Sequence, residues 1–67
     1  MDQIYIVCYS FADNTEILDC FLNHANAINF CESWLNHQQV PMTNIGNDTW
    51  EHNYATLYID RRYISDS

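Results

Sequence analysis

One stretch with the repeat of a helix stands between two stretches with the alternation of strands, and this order constrains the fold more than any other feature of the chain. Placed at 100° intervals, Ala27, Ile28, Phe30, Cys31, Trp34 and Leu35 fall within a sector about 160° wide. The opposite side carries Asn26, Asn29, Glu32, Ser33 and Asn36. Asn23 stands where a helix N-cap is needed, because its side chain can accept from the free N–H groups of the first turn. The spacing predicts one amphipathic helix over roughly residues 24–37.

Upstream, Ile4-Tyr5-Ile6-Val7-Cys8-Tyr9-Ser10-Phe11 is β-branched and aromatic with no breaker, which predicts a strand. Ala12-Asp13-Asn14-Thr15 predicts a turn, since Asp and Asn tolerate left-handed backbone and bond their own main chain. Glu16 to Leu22 predicts a second strand and closes a hairpin. Its facing stays open, because Leu18, Cys20 and Leu22 on one side and Ile17 and Phe21 on the other are both apolar sets. Downstream, Gln38 to Asp48 holds the only Pro and the only Gly, Pro41 and Gly46, and reads as a loop with room for a short strand at Val40–Ile45. At its end the sequon Asn47-Asp48-Thr49 is expected to be a turn. Thr49 to Ile64 reads as one long strand region.

The order ββαβ predicts an α+β fold: a small three-stranded antiparallel sheet, order 2-1-3, with one helix packed on one face, forming a single domain over residues 1–67. In that arrangement Ile4, Ile6 and Cys8 join Ala55, Leu57 and Ile59 against the helix. The opposite face then presents Tyr5, Val7 and Tyr9 beside Tyr54, Thr56 and Tyr58.

At this length the core is small, and the ten aromatic side chains are what can make it sufficient. The charge is lopsided. Nine acids face two arginines and no lysine, for a net charge of −7. Direct binding to nucleic acid or to an anionic membrane needs clustered bases, so both are disfavoured. No basic region precedes the first apolar run, that run is too short for a leader, and nothing approaches the ~20 apolar residues of a membrane span. The expectation is a complete small cytoplasmic product with free thiols, three cysteines being an odd number.

Candidate metal ligands are Cys8, Cys20, Cys31, His24, His37 and His52, but none of them forms the close pairs of a structural zinc site. Cys20 and His24 are four apart yet straddle the strand–helix junction, and Cys8 and Cys31 fall on core faces as small hydrophobes. A thiolate at Cys20 would need a positive neighbour and an orienting group, and the surrounding charge is negative. A single glycine forbids a phosphate-cradling loop. No cofactor, no metal and no catalytic activity are expected.

The surface is more informative. Four tyrosines on an uncovered sheet face would offer rigid contact area with polar tips, for a partner or for a second copy in a homodimer. Ordinary solubility would intersperse lysines among the acids; here eight Asn and three Gln supply the polar surface instead. Asp13, Glu16 and Asp19 along the hairpin also serve to solvate and protect an edge. The expected contact set is Tyr5, Tyr9, Tyr54 and Tyr58, with Asp13, Glu16, Asp19, Asp48, Glu51 and Asp60 nearby.

The opening Ile4-Tyr5-Ile6-Val7, Phe21 before a polar cap, Ala27, Phe30 and Trp34 on the helix and a closing apolar strand resemble small ββαβ proteins of phage and other mobile elements. In size, charge and lack of catalytic residues the chain also resembles phage anti-defence proteins, including the anti-CRISPR class. The resemblance is one of type and transfers no site residues. It implies an acidic inhibitor, in the host cytoplasm if phage-encoded, that mimics nucleic acid and occupies a basic surface of a nucleic-acid-handling host protein such as a CRISPR effector. The alternative is a homo-oligomeric structural or regulatory module.

Overall fold

A computed structural model describes residues 3–39 and 41–64. Asp2, Val40 and Asp66, which enter the charge count and the expected loop strand, lie outside the described residues. The elements are β1 (Gln3–Phe11), β2 (Asn14–Phe21), α1 (His24–Gln38), β3 (Thr43–Gly46), β4 (Thr49–His52) and β5 (Ala55–Tyr63). All strand pairs are antiparallel, and the sheet runs β2-β1-β5-β4-β3.

The expected three-stranded sheet is therefore wrong: there are five strands and one helix. The error lies in residues 49–64. As a single strand they would stretch about 54 Å, twice the length of β1. Asn53 instead takes a positive φ of 53°, which Asn tolerates, and the chain folds back on itself. The fold-back sets Trp50 across from Leu57. Trp50 is then 7% exposed and Leu57 fully buried, each contributing on the order of 2 kcal/mol by leaving water. A second tight hairpin precedes it. Asn47 and Asp48 both have positive φ, 53° and 55°, the signature of a two-residue type I′ turn between twisted strands. Much of the expected loop is thus β3 and its turn.

The facing of β1 is also inverted. Directly opposed residues share a face, and β1 pairs β5 as Tyr5↔Arg61, Val7↔Ile59 and Tyr9↔Leu57. Tyr5, Val7 and Tyr9 therefore lie under the helix with Leu57 and Ile59. Ile4, Ile6 and Cys8 face the other way, beside Arg62, Asp60 and Tyr58. Both alternate sets of β1 are apolar, so alternation by itself did not choose between them; packing against α1 takes the set with the larger rings.

A bulge settles β2. Val7 pairs with Asp19 and Cys8 with Ile17, leaving Leu18 as the extra residue. The period of two is broken there, so Leu18 and Phe21, one from each apolar set, both pack on the core, while Ile17 stays 66% exposed.

Helix α1 crosses the Tyr5–Val7–Tyr9 face. Asn23 Oδ1 accepts from the Asn26 N–H at 3.2 Å, and Gln39, left-handed at φ 57°, closes the other end by donating to the Leu35 carbonyl at 3.0 Å. Ala27 and Cys31, one turn apart and fully buried, form a cluster with Val7, Trp50 and Leu57. Ile28, Phe30, Trp34 and Leu35 pack around it, and the Asn-rich side is exposed. Among the described residues no helix is long and apolar enough to cross a membrane.

Candidate interaction surface

The tyrosines do not share a face. Tyr5 lies beneath the start of α1, its ring 5.3 Å from that of His24, its hydroxyl donating to Gln3 Oε1 at 2.7 Å. Tyr9 packs on Trp34 at 5.0 Å. Tyr58 is on the uncovered face, directly opposite Cys8. Tyr54 follows Asn53 in the β4–β5 turn and is 84% exposed. The four-tyrosine face expected from sequence is therefore replaced by two half-buried rings on the helix side, one half-buried ring on the uncovered face and one free ring in a turn. The inverted facing of β1 moves Tyr5 and Tyr9, and the turn at Asn53–Tyr54 takes Tyr54 out of the sheet, while Tyr58 keeps its expected side.

The acids are likewise distributed. Asp13, in the β1–β2 turn, and Glu16 and Asp19, on the edge strand β2, are exposed. Asp19 Oδ1 accepts from the Cys20 N–H at 2.8 Å. Glu51 is exposed on β4, three strand spacings away from β2, about 14 Å. Asp48 and Asp60 are engaged internally. Asp48 Oδ2 sits 2.7 Å from His24 Nε2 and 3.9 Å from the Arg61 guanidinium, which also lies 5.6 Å over the Tyr5 ring. Asp60 Oδ2 accepts from Arg62 Nε at 2.9 Å. The sequence offers no cue for this Tyr5–His24–Asp48–Arg61 cluster, because its members come from four separate segments.

One end of the sheet does gather contact candidates. The Ala12 N–H donates to the Tyr54 carbonyl at 3.4 Å, which ties the two turns together. Beside them, Tyr9 and Phe11 on β1 and Asn14 and Glu16 on β2 line a shallow cavity of ≈ 340 Å³. Tyr9 opposes Glu16 and Phe11 opposes Asn14, so all four side chains project to one side. Tyr9, Asp13, Glu16 and Tyr54 thus come together here, while Tyr5, Tyr58, Asp48 and Asp60 do not. Phe11, 54% exposed, belongs to the same surface and was missed; its place two residues beyond Tyr9 was the available signal.

The thiols have distinct surroundings. Burial pushes Cys31 up to about 12, with Asp48 and Glu32 adding to the effect. Burial also raises Cys8, partly offset by the neighbouring Tyr58 hydroxyl, and Tyr58 is raised by burial and by Cys8. Raised thiols are poor nucleophiles at neutral pH. Cys20 is exposed and opposes Ile6, on the face away from the helix that bears His24. Among the described residues no three His, Cys, Asp or Glu side chains are grouped to hold a metal ion.

No family model, no curated protein and no solved structure matches the chain.

Proposed function

We propose that this chain is a small acidic protein-binding inhibitor of anti-defence type, similar in kind to anti-CRISPR proteins. It acts in the host cytoplasm by occupying a basic surface on a nucleic-acid-handling protein, and it has no catalytic step. The observation that carries this reading is how the charges pair. Arg61 is directed to Asp48 and Arg62 to Asp60. Asp13, Glu16, Asp19, Glu32 and Glu51 are left without a basic partner among the described residues. Uncompensated carboxylates on a rigid sheet attract a basic groove rapidly and can stand where phosphates would. The contact surface is the hairpin end, where Tyr9, Phe11 and Tyr54 add aromatic area to Asp13 and Glu16. The test is affinity capture from a panel of defence complexes, read by mass spectrometry, followed by affinity against salt. The expected result is a nucleic-acid-handling partner whose affinity falls steeply between about 50 and 300 mM salt. Capture of no such protein refutes the function, and an affinity indifferent to salt refutes the charge mimicry.

A second reading, self-association, is favoured by the uncovered sheet face. Ile4, Ile6, Cys8, Ile17 and Tyr58 share that face, where Asp60 and Arg62 neutralise each other. A second copy would meet an apolar, nearly charge-balanced surface there. Light scattering at micromolar concentration decides it, a strict monomer eliminating this reading.

A further inference from the structure

We infer that the cavity between the Tyr9–Phe11 pair and the Asn14–Glu16 pair seats an arginine side chain supplied by the partner. This rests on the protein-binding reading above and names the chemistry of one of its contacts. The floor is aromatic: Tyr9, held in place by Trp34, and Phe11, half in solvent. The rim is polar: the Glu16 carboxylate and the Asn14 amide. A guanidinium is the group that satisfies both at once, because it stacks on ring faces and donates in a planar fork to carboxylates.

The molecule already holds one arginine in this way. The Arg61 guanidinium lies 5.6 Å over the Tyr5 ring and 3.9 Å from Asp48. Tyr5 and Tyr9 stand on the same face of β1, so the empty cavity repeats, one end of the strand away, the ring-and-carboxylate arrangement that Arg61 fills. Among the described residues no basic side chain fills the second one. There is no lysine, and both arginines are engaged elsewhere. Access is open as well, because β2 is an edge strand and, among the described residues, no strand pairs with its outer side.

The test is a two-dimensional amide NMR titration of the full chain with acetyl-Gly-Arg-Gly-amide, its citrulline twin and its lysine twin. The expected result is saturable shifts confined to residues 9–16 with the arginine peptide and roughly tenfold weaker binding with citrulline, which keeps the shape and loses the charge. Glu16→Gln weakens the arginine peptide by roughly tenfold and Phe11→Ala by about threefold. Glu32→Gln removes an equal charge from the far side of the helix and leaves the titration unchanged. Each variant's fold is checked by circular dichroism, and the citrulline comparison on the unaltered chain stands even if a variant unfolds. Equal binding of citrulline, equal binding of lysine, or shifts centred elsewhere overturns the assignment. The two readings fail separately. A partner captured with affinity indifferent to Glu16→Gln and Phe11→Ala removes the cavity and keeps the inhibitor. Arginine-peptide binding without any nucleic-acid-handling partner does the reverse.

Discussion

His24 Nε2 lies 2.7 Å from Asp48 Oδ2, which fastens the first residue of α1 to the turn between β3 and β4. The contact spans 24 residues and joins the hairpin that sequence patterning did not resolve to the helix that it did. The Ile59 N–H also donates to the Asp48 carbonyl at 3.1 Å, so side chain and main chain of one turn residue grip both neighbours.

Asp48→Asn keeps the left-handed turn, because Asn tolerates it, and removes the charge. Both partners are partly exposed, so solvent limits the effect to about 1 kcal/mol. Urea denaturation of Asp48→Asn, His24→Ala and the double variant should return a coupling of about 0.5–1 kcal/mol. Additive effects would mean that the two side chains do not interact in solution.

Asn23→Ala removes the acceptor for the Asn26 N–H and leaves a first-turn donor to water. The expected loss is about 1 kcal/mol, with Asn23→Ser close to neutral. Circular dichroism melts of the pair check it; an Ala variant as stable as the Ser variant would show that the cap contributes little.

Leu57→Ala empties the middle of the cluster formed by Val7, Ala27, Cys31 and Trp50. The loss is about 2–5 kcal/mol, enough to unfold most of the molecules of so small a domain at 37 °C. Tryptophan fluorescence should then report Trp34 and Trp50 moving into water.

An unfolded thiol ionises near 9, and burial holds folded Cys31 up to about 12. Below pH 9 both states keep the proton and the contribution of the buried thiol is whole. Between about pH 9 and 12 the unfolded chain releases a proton that the folded one retains, so stability falls as pH rises. Urea midpoints should drop between about pH 9 and 10.5, and Cys31→Ala should flatten that slope. Cys8 and Tyr58, also raised by burial, act with the same sign and leave a residual slope.

Of the three cysteines only Cys20 is exposed. A thiol reagent should label one group in the native protein and all three in denaturant, and Cys20→Ser should abolish the native signal. Labelling of Cys8 or Cys31 at native rates would mean that the sheet opens locally.

How far the sequence could be read depended on whether its patterns had rivals. The helix had none: Ala27, Phe30, Cys31 and Trp34 fit only a 3.6-residue repeat, and Asn23 marked its start. In β1 either alternate set was apolar, so the face toward the helix was left to packing, and the tyrosine surface derived from that choice dissolved with it. In β2 an extra residue at Leu18 shifts the parity midway, which alternation cannot show. The Asn53 fold-back was visible as a turn residue, but the apolar pattern resumed immediately beyond it. Among the acids, Asp60 stands two residues from Arg62 on one strand, so its pairing could be read from the sequence. Asp48 looks no different in sequence from Asp13 and Glu16, and only the fold that brings His24 and Arg61 near it separates it from the free carboxylates.

The pairing of Gln3 with Tyr63 has a practical consequence. These residues sit side by side at one end of the longest strand pair, while Phe11 and Ala55 close the other end, about 27 Å away. A link between Gln3 and Tyr63 themselves would have to cross only the gap between two neighbouring strands, and a cut at Asn53–Tyr54 would sever no strand. It also means that a tether or fluorophore fixed at residue 3 or 63 sits at the pole opposite the cavity, so the protein can be immobilised with that surface pointing outward.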